Sequence, residues 1–220
     1  MSEDNFEAAR QRLITEIERN ARETKKYTGR GRFRDATMAA LEKVPRHRFL
    51  RPGDENVAYV NRPQSIGHGQ TISQPYIVAV MTDLLDLTPE DRVLEIGTGC
   101  GYQAAVLAEV AAEVYSVEMV KSLADGATER LEKLGYDTIH VRHGDGAEGW
   151  ASEAPFDAIM VTAAPERIPQ KLSQQLKVGG RMVIPVGPRY STQFLKVGVK
   201  KDDGKVSFHS TLPVAFVPMV

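Results

Sequence analysis

Residues 93–101 read Val-Leu-Glu-Ile-Gly-Thr-Gly-Cys-Gly. Four residues typical of a buried strand lead directly into three glycines at alternate positions, and a helix-forming segment follows at residues 103–110. Glycines let the backbone turn sharply and let a ligand approach where a Cβ would obstruct it. We therefore predict a strand at residues 92–97, a glycine-rich turn and a helix, with a ligand bound at the carboxyl end of the strand.

Strands and helices alternate from residue 76 onward. We predict helices at residues 77–85, at 103–110, up to Leu134 and at 169–176. Five strands are predicted, at residues 92–97, 113–118, 138–143, 156–162 and 181–186. The last of these follows the pair Gly179-Gly180, which we interpret as a turn. Strands that alternate with helices indicate a parallel sheet covered on both faces.

The two ends of the chain have different patterns. An amphipathic helix is predicted at residues 4–24, and Asp35 is predicted to cap a second helix that Pro45 ends. Residues 45–75 are expected to form an irregular arm with short strands, and residues 194–208 an antiparallel hairpin. The predicted fold class is α/β, a Rossmann-like doubly wound, mostly parallel sheet with a C-terminal antiparallel hairpin and an N-terminal helical segment. We expect a single domain over residues 1–220, with the N-terminal helices and the arm in 1–75 and a cofactor-binding α/β core in 76–190. The C-terminal hairpin and the edge of a substrate cleft are expected in 191–220.

Composition excludes several classes of protein. The 220 residues include 28 basic and 29 acidic side chains, so no net field draws the chain to nucleic acid or to an anionic membrane. Cys100 is the single cysteine, which excludes an internal disulfide framework. The acidic N-terminus lacks the apolar core of a signal peptide, and no apolar run reaches the ~20 residues that span a bilayer. We expect a cytoplasmic protein with no membrane or nucleic-acid partner.

The ligand of the glycine turn is predicted to be a nucleoside. Glu118 ends the second strand seventeen residues after Gly101, where an acidic side chain reaches ribose hydroxyls. Asp145-Gly146 follows the third strand, where a carboxylate can accept a hydrogen bond from an adenine amino group. A dinucleotide site has the spacing G-x-G-x-x-G, whereas this chain has Gly97-x-Gly99-x-Gly101. The spacing and the acidic third loop favour S-adenosylmethionine over NAD, and the pattern resembles that of the class I methyltransferases.

The arm carries a more specific resemblance. Residues 63–76 read Pro-Gln-Ser-Ile-Gly-His-Gly-Gln-Thr-Ile-Ser-Gln-Pro-Tyr. Together with 93–103, 143–146, 156–164 and 179–187, this stretch resembles protein-L-isoaspartate O-methyltransferase in its bacterial form, over roughly residues 40–220. The resemblance implies methylation of the free α-carboxylate of L-isoaspartyl residues, and more weakly of the D-aspartyl side chain, in damaged proteins. The ester then cyclises to a succinimide.

The resemblance also implies the site residues. Ser73 is the expected catalytic residue, at the reacting centre. The expected substrate-binding residues are His68, Ile72, Ser73, Tyr76 and Val217. The cofactor, S-adenosylmethionine with S-adenosylhomocysteine as its product, is expected to contact Gln70, Thr71, Gln74, Glu95, Gly97, Thr98, Gly99, Gly101, Glu118, Met119, Asp145 and Gly146. No metal is expected, and a monomer is expected to act on isoaspartyl proteins and peptides.

Three alternatives remain open at this stage. A methyltransferase for another substrate, such as nucleic acid, is disfavoured because residues 161–165, Val-Thr-Ala-Ala-Pro, lack the Asn/Asp-Pro-Pro-Tyr/Phe motif of amino-methylating enzymes. An NAD-dependent oxidoreductase is disfavoured by the glycine spacing. A non-enzymatic nucleoside-binding module is disfavoured because Ser73 accompanies an intact glycine turn. The basic segment 25–34 is interpreted as a solvated linker rather than an RNA contact.

Overall fold

The computed structural model describes residues 3–189 and 191–219. Its helices are α1 Glu3–Thr28, α2 Asp35–Lys43, α3 Pro75–Leu84, α4 Tyr102–Ala108, α5 Lys121–Lys133 and α6 Gln170–Gln175. Its strands are β1 Gln64–Gly67, β2 Gln70–Ile72, β3 Arg92–Ile96, β4 Glu113–Glu118, β5 Ile139–His143, β6 Phe156–Val161, β7 Leu176–Val186, β8 Gln193–Lys200 and β9 Val206–Val214. Short 3₁₀ turns lie at Arg46–Phe49, Glu55–Val57, Gly146–Glu148 and Ala151–Glu153.

One seven-stranded sheet organises the molecule, in the order β5-β4-β3-β6-β7-β8-β9. Neighbours from β5 to β7 are parallel, and β7, β8 and β9 are antiparallel to one another. The predicted fold class is therefore confirmed, including the C-terminal hairpin. The chain runs outward from β3 through β4 to β5 and then returns to place β6 on the other side of β3. Ligands of open α/β sheets bind at such a reversal of strand order, outside the carboxyl ends of the strands.

Both faces of the sheet are buried. Side chains alternate along a strand, so Val93 joins the core under α1 to α5, whereas Leu94 and Ile96 join the core under α6. Strands covered on both faces have nearly continuous apolar sequences, as β3 and β6 do. The small hairpin of β1 and β2 is separate from the main sheet and leads into α3.

The basic segment is part of the folded structure, so its interpretation as a solvated linker was wrong. Helix α1 continues to Thr28, and Phe33 is buried in the core. The buried carboxylate of Asp83 accepts hydrogen bonds from Arg34 N at 2.7 Å and Thr37 Oγ1 at 3.2 Å, and Arg30 Nε lies 3.4 Å from it. The arginines of this segment thus fasten it to the end of α3, and only part of the segment faces water.

Two further local predictions were wrong. Asp35 is the first residue of α2 rather than its cap, since Arg34 with extended backbone holds the cap position and the Asp35 carboxylate pairs with Arg32 at 2.7 Å. Gly179 and Gly180 lie inside β7 instead of in a turn before it. Gly179 has φ +80°, and the register with β6 shifts at this point, so the glycines form an irregularity in one long strand.

Strand β9 extends to Val214, six residues beyond its predicted end. The continuation includes His209, Ser210 and Thr211, whose polar side chains hide the alternation that predicts a strand. No helix within residues 3–189 and 191–219 combines the length and the apolarity needed to cross a membrane.

Candidate active site

A cavity opens at the carboxyl ends of β3 and β4, where the reversal of strand order predicts a ligand. It encloses about 830 Å³, including its open mouth. We call it the inner cavity. Its wall is formed by the glycine turn, the end of β4, the end of the arm and a segment near the C-terminus. The predicted site residues in this wall are Gln70, Thr71, Ile72, Ser73, Gly97, Thr98, Gly99, Glu118, Met119, Gly146 and Val217.

The glycine turn has the backbone that the sequence predicts. Gly97, Gly99 and Gly101 have φ values of +98°, +55° and +88°, a region that side chains with a Cβ rarely adopt. A Cβ on Gly97 would lie 2.4 Å from Thr162 Oγ1. That hydroxyl donates to Gly97 O at 2.7 Å, so the end of β6 holds the turn against the sheet. Gly101 is the cap residue that precedes α4 and is outside the lining, and a Cβ there would meet Leu131.

Glu118 lies in the wall with its carboxylate held by main-chain donors. Its Oε2 accepts from Gly99 N at 2.8 Å and its Oε1 accepts from Val120 N at 2.9 Å. A carboxylate has about four lone-pair positions, so each oxygen can still accept from a ligand. The residue is largely buried, and it joins the glycine turn to the end of β4. This geometry suits a pair of ribose hydroxyls.

Glu95 lies behind the glycine turn and not in the wall of the cavity. It is fully buried, and Ser116 Oγ donates to its Oε2 at 2.5 Å. Ser116 Oγ is also 2.5 Å from Thr98 Oγ1, so a chain of hydrogen bonds leads from Glu95 to the turn. Burial raises the pKa of Glu95 to about 8, against a lowering by the Ser116 hydrogen bond. The expected contact of Glu95 with the cofactor is corrected, since the next residue, Ile96, faces the cavity instead.

The loop after β5 contributes backbone to the cavity. Gly146 lines it, and a Cβ there would lie 2.4 Å from Ile96 Cγ2. Asp145 is exposed and outside the lining, and its Oδ1 accepts from Ala147 N at 2.8 Å. One oxygen of Asp145 thus caps the following 3₁₀ turn, which leaves Oδ2 with no assigned hydrogen bond within the described residues.

A second cavity adjoins the first on the side of the hairpin. It encloses about 1510 Å³, is open to solvent, and we call it the outer cleft. Its wall includes Pro63, Gln74 and Ile77 on one side and residues 213–217 on the other. The residues common to both walls are Thr71, Ser73, Thr162 and Val217. The half-buried hydroxyl residue Ser73 therefore lies where the two spaces meet.

Besides Glu95, Gly101 and Asp145, three more predicted site residues lie outside the wall of the inner cavity. Tyr76 is buried against Phe33, and its hydroxyl lies 2.5 Å from Thr24 Oγ1, so its expected substrate contact is corrected. His68 is at the tip of the β1–β2 hairpin, with Nε2 3.1 Å from Ser122 Oγ, outside both walls. Gln74 lines the outer cleft only. Each is close to Ser73 in sequence, but the direction of its side chain depends on the element that covers it.

The structure adds residues that the sequence did not indicate. Thr162 follows β6 and belongs to both walls. Tyr102 and Gln103 follow the glycine turn directly, so their position next to it could have indicated them. The other additions to the inner wall are Val78, Ile96, Cys100, Val117, Val120, Ala163, Pro218 and Met219.

The C-terminal part of the wall is brought to the site by long-range hydrogen bonds. The side-chain amide of Gln193 donates from Nε2 to Phe216 O at 3.1 Å and accepts at Oε1 from Phe216 N at 2.6 Å. Ala164 N donates to Val217 O at 2.8 Å, and Met219 N donates to Ala164 O at 3.0 Å. No local pattern predicts this segment, because its partners are 23 or more residues away.

Among the residues described, no cluster of three or more His, Cys, Asp or Glu side chains could hold a metal ion.

The fold, with the inner cavity and the outer cleft at the carboxyl ends of its strands, defines a class I methyltransferase. The chain belongs to the protein-L-isoaspartate(D-aspartate) O-methyltransferase family, whose model matches residues 21–220. This membership excludes the NAD-dependent oxidoreductase and the non-enzymatic module, and the chain is an enzyme of this family. The match begins about twenty residues before the predicted start of the resemblance.

Named relatives agree with this membership. A protein-L-isoaspartate O-methyltransferase 2 of Syntrophobacter fumaroxidans is 51% identical over 218 residues, covering 99% of this chain and 88% of its own length. A protein-L-isoaspartate O-methyltransferase of Opitutus terrae is 58% identical over 184 residues, covering 84% and 78%.

Solved structures have the same fold. A structure of a protein-L-isoaspartate O-methyltransferase matches with a TM-score of 0.81 and 29% identity, over 95% of this chain and 65% of that one. A Plasmodium falciparum structure in complex with S-adenosyl-L-homocysteine matches with a TM-score of 0.77 and 24% identity, over 94% of this chain and 96% of that one.

Proposed function

We propose that this protein transfers a methyl group from S-adenosylmethionine to the free α-carboxylate of L-isoaspartyl residues in proteins and peptides. The D-aspartyl side-chain carboxylate is the weaker acceptor, and the ester product cyclises to a succinimide. The observation that carries the proposal is the position of Ser73 in the walls of both the inner cavity and the outer cleft. Family membership supports the choice of acceptor.

The residues of the inner cavity suit the proposed cofactor. Glu118 offers free acceptor positions to ribose hydroxyls, and the main chain at Gly97 and Gly99 can approach the methionine portion because no Cβ obstructs it. We propose that Gly146, which lines the cavity, contacts the adenine and that Asp145 Oδ2 accepts from the adenine amino group. When bound, S-adenosylmethionine supplies an electrophilic methyl group on a positively charged sulfur.

The remaining task of the chain is alignment. A carboxylate with a reference pKa near ~4 is ionised at neutral pH, so Ser73 need not act as a general base. We propose that its hydroxyl donates to one acceptor oxygen and so directs the other toward the inner cavity. A neutral donor holds the carboxylate without stabilising its ground state as strongly as an arginine would. Alignment of reacting groups can contribute roughly 7–11 kcal/mol in well-oriented cases.

The proposal includes the setting of the enzyme. We propose a single domain over residues 1–220 that acts as a monomer in the cytoplasm, with isoaspartyl proteins and peptides as its partners and neither nucleic acid nor membrane among them. The near-zero net charge supports the exclusion of polyanions. Light scattering of the purified protein tests the monomer, since a mass of about 49 kDa in place of 24.3 kDa would contradict it.

Two matched peptides test the acceptor. Methyl transfer from S-adenosylmethionine is measured to an isoaspartyl peptide and to the same peptide with a normal aspartyl residue. We expect methylation of the first and none of the second. Equal labelling, or no labelling of either, would contradict the acceptor assignment. Calorimetry with S-adenosylhomocysteine tests the cofactor separately, and an absence of binding would contradict that part alone.

A further inference from the structure

Arg46 is a fully buried arginine that the proposed mechanism does not use. Its side chain has no exposed surface. Nη2 donates to Ser73 O at 2.7 Å and Nε donates to Ala58 O at 2.9 Å. Its Cζ lies 4.7 Å from the ring centroid of Tyr102. Nη1 has no hydrogen-bond partner among the described residues.

Burial of the Arg46 guanidinium carries a large desolvation cost. No carboxylate lies within ion-pair distance of Arg46 in residues 3–189 and 191–219. Removing an unpaired guanidinium from water costs several kcal/mol, and burial lowers the pKa of Arg46. An apolar side chain such as methionine would fill the same space without that cost. Packing alone therefore does not account for an arginine at this position.

The contacts of Arg46 converge on the segment between the two cavities. Ser73 lies after β2 and before α3, outside any strand ladder or helix. Within the described residues, the bond from Arg46 is the one hydrogen bond assigned to the main chain of Ser73. Tyr102 lines the inner cavity, so the guanidinium also packs against the cofactor side of the site. A planar fork of donors fixes two partners in one geometry, which a lysine cannot reproduce.

We propose that Arg46 is a positioning residue that holds the main chain of Ser73 so that its hydroxyl is presented at the boundary of the two cavities. The inference rests on the proposed function, because that function assigns the Ser73 hydroxyl to binding the acceptor carboxylate. Arg46 itself touches neither cavity. It acts through the carbonyl of Ser73, with Ala58 O and the Tyr102 ring as fixed supports.

A double-mutant cycle tests the connection. We expect Arg46→Lys to lower kcat for isoaspartyl methylation about tenfold or more, with the affinity for S-adenosylhomocysteine changed less than about threefold. In a Ser73→Ala background the same change should lower kcat less than about twofold, because residues that act through one group are not additive. Equal factors in both backgrounds would overturn the proposal, as would a loss of cofactor affinity that matches the loss of kcat.

Arg10→Lys is the matched control. Arg10 also joins the N-terminal elements, through Glu42 O at 2.8 Å and the hydroxyl of Tyr59, but it does not contact Ser73. We expect it to leave kcat within about twofold in both backgrounds. If Arg10→Lys lowered kcat as much as Arg46→Lys, a general weakening of the N-terminal elements would explain both losses. That result would overturn a specific role for Arg46.

Amide hydrogen exchange gives a readout that needs no activity. We expect Arg46→Lys to speed exchange at residues 70–72, the strand that pairs with β1, at least tenfold, with α5 and β4 unchanged. If the wild-type protein methylates no isoaspartyl peptide, the proposed function is contradicted. The exchange measurement still tests whether Arg46 orders the segment that ends at Ser73. If Arg46→Lys does not fold, or if the activity of Ser73→Ala is too low to measure, amide exchange is compared between wild type and Arg46→Met. The methionine variant removes the buried charge together with the hydrogen bond to Ser73 O. Unchanged exchange at residues 70–72 would overturn the proposal.

Discussion

At the scale of single residues, Ser73 joins the two cavities with a neutral hydroxyl. Its main chain is held by a buried cation, and its side chain is half-buried in the shared wall. Glu118 is similar, because main-chain N–H groups orient its carboxylate and its remaining lone pairs can accept from a ligand. In both cases the contacts that orient the side chain differ from the contact proposed for function.

We expect Ser73→Ala to lower the rate of methyl transfer by about 10–100-fold. A hydrogen bond to a charged group contributes roughly 1.5–3 kcal/mol, and about 1.4 kcal/mol corresponds to a tenfold change. Calorimetry with S-adenosylhomocysteine should give an affinity within about twofold of wild type. The control is Ser65→Ala in β1 of the same arm, outside both walls. Full activity of Ser73→Ala would remove this hydroxyl from the mechanism.

At the scale of elements, the turn between β3 and α4 depends on glycine for two separate reasons. Gly97 has a positive φ, and it also needs space, because a Cβ there would lie 2.4 Å from Thr162 Oγ1. Gly53 has a similar φ of +94°, but nothing lies within 4 Å of its Cβ position. The two glycines therefore separate the cost of backbone strain from the cost of collision.

We expect Gly53→Ala to cost about 1–2 kcal/mol of unfolding free energy from strain alone. Gly97→Ala should cost clearly more, and should also weaken S-adenosylhomocysteine binding, because the turn must move away from Thr162. Urea unfolding and calorimetry measure the two effects. Adding Thr162→Ala removes the clashing oxygen and should restore part of the stability. Equal costs for the two glycine variants would contradict the collision.

At the scale of the whole molecule, one buried carboxyl is expected to connect stability to pH. The pKa of Glu95 is raised to about 8 by burial, whereas an unfolded chain has an ordinary value near 4.5. The folded state thus holds this proton more tightly. The stabilisation is fully present below about pH 4.5, and it is lost as the pH rises through about 8.

We expect Glu95→Gln, which is neutral at every pH, to become more stable relative to wild type as the pH rises from 5 to 8.5. The amide has nearly the shape of the carboxyl and can keep a hydrogen bond to Ser116. Urea unfolding at several pH values measures the difference. Glu90→Gln, at an exposed turn, controls for the loss of one negative charge. A stability difference that does not grow with pH would show that Glu95 is ionised in the folded state.

The amino-acid sequence by itself determined the alternating elements, the glycine turn, Glu118 at the end of its strand and the arm that carries Ser73. These features depend on local signals, because burial on a strand or helix repeats with a short period and glycine marks the backbone that only it adopts freely. The family followed from the same motifs, and residues 21–220 match it.

Only the tertiary structure decided where the side chains beside those motifs lead. Glu95 and Tyr76 are within a few residues of the site in sequence, yet both side chains are buried away from the cavity. Arg46 and Gln193 support the site from positions more than twenty residues distant. The physical reason is that a side chain's surroundings depend on which layer covers its element, and long-range packing leaves no periodic trace in the chain.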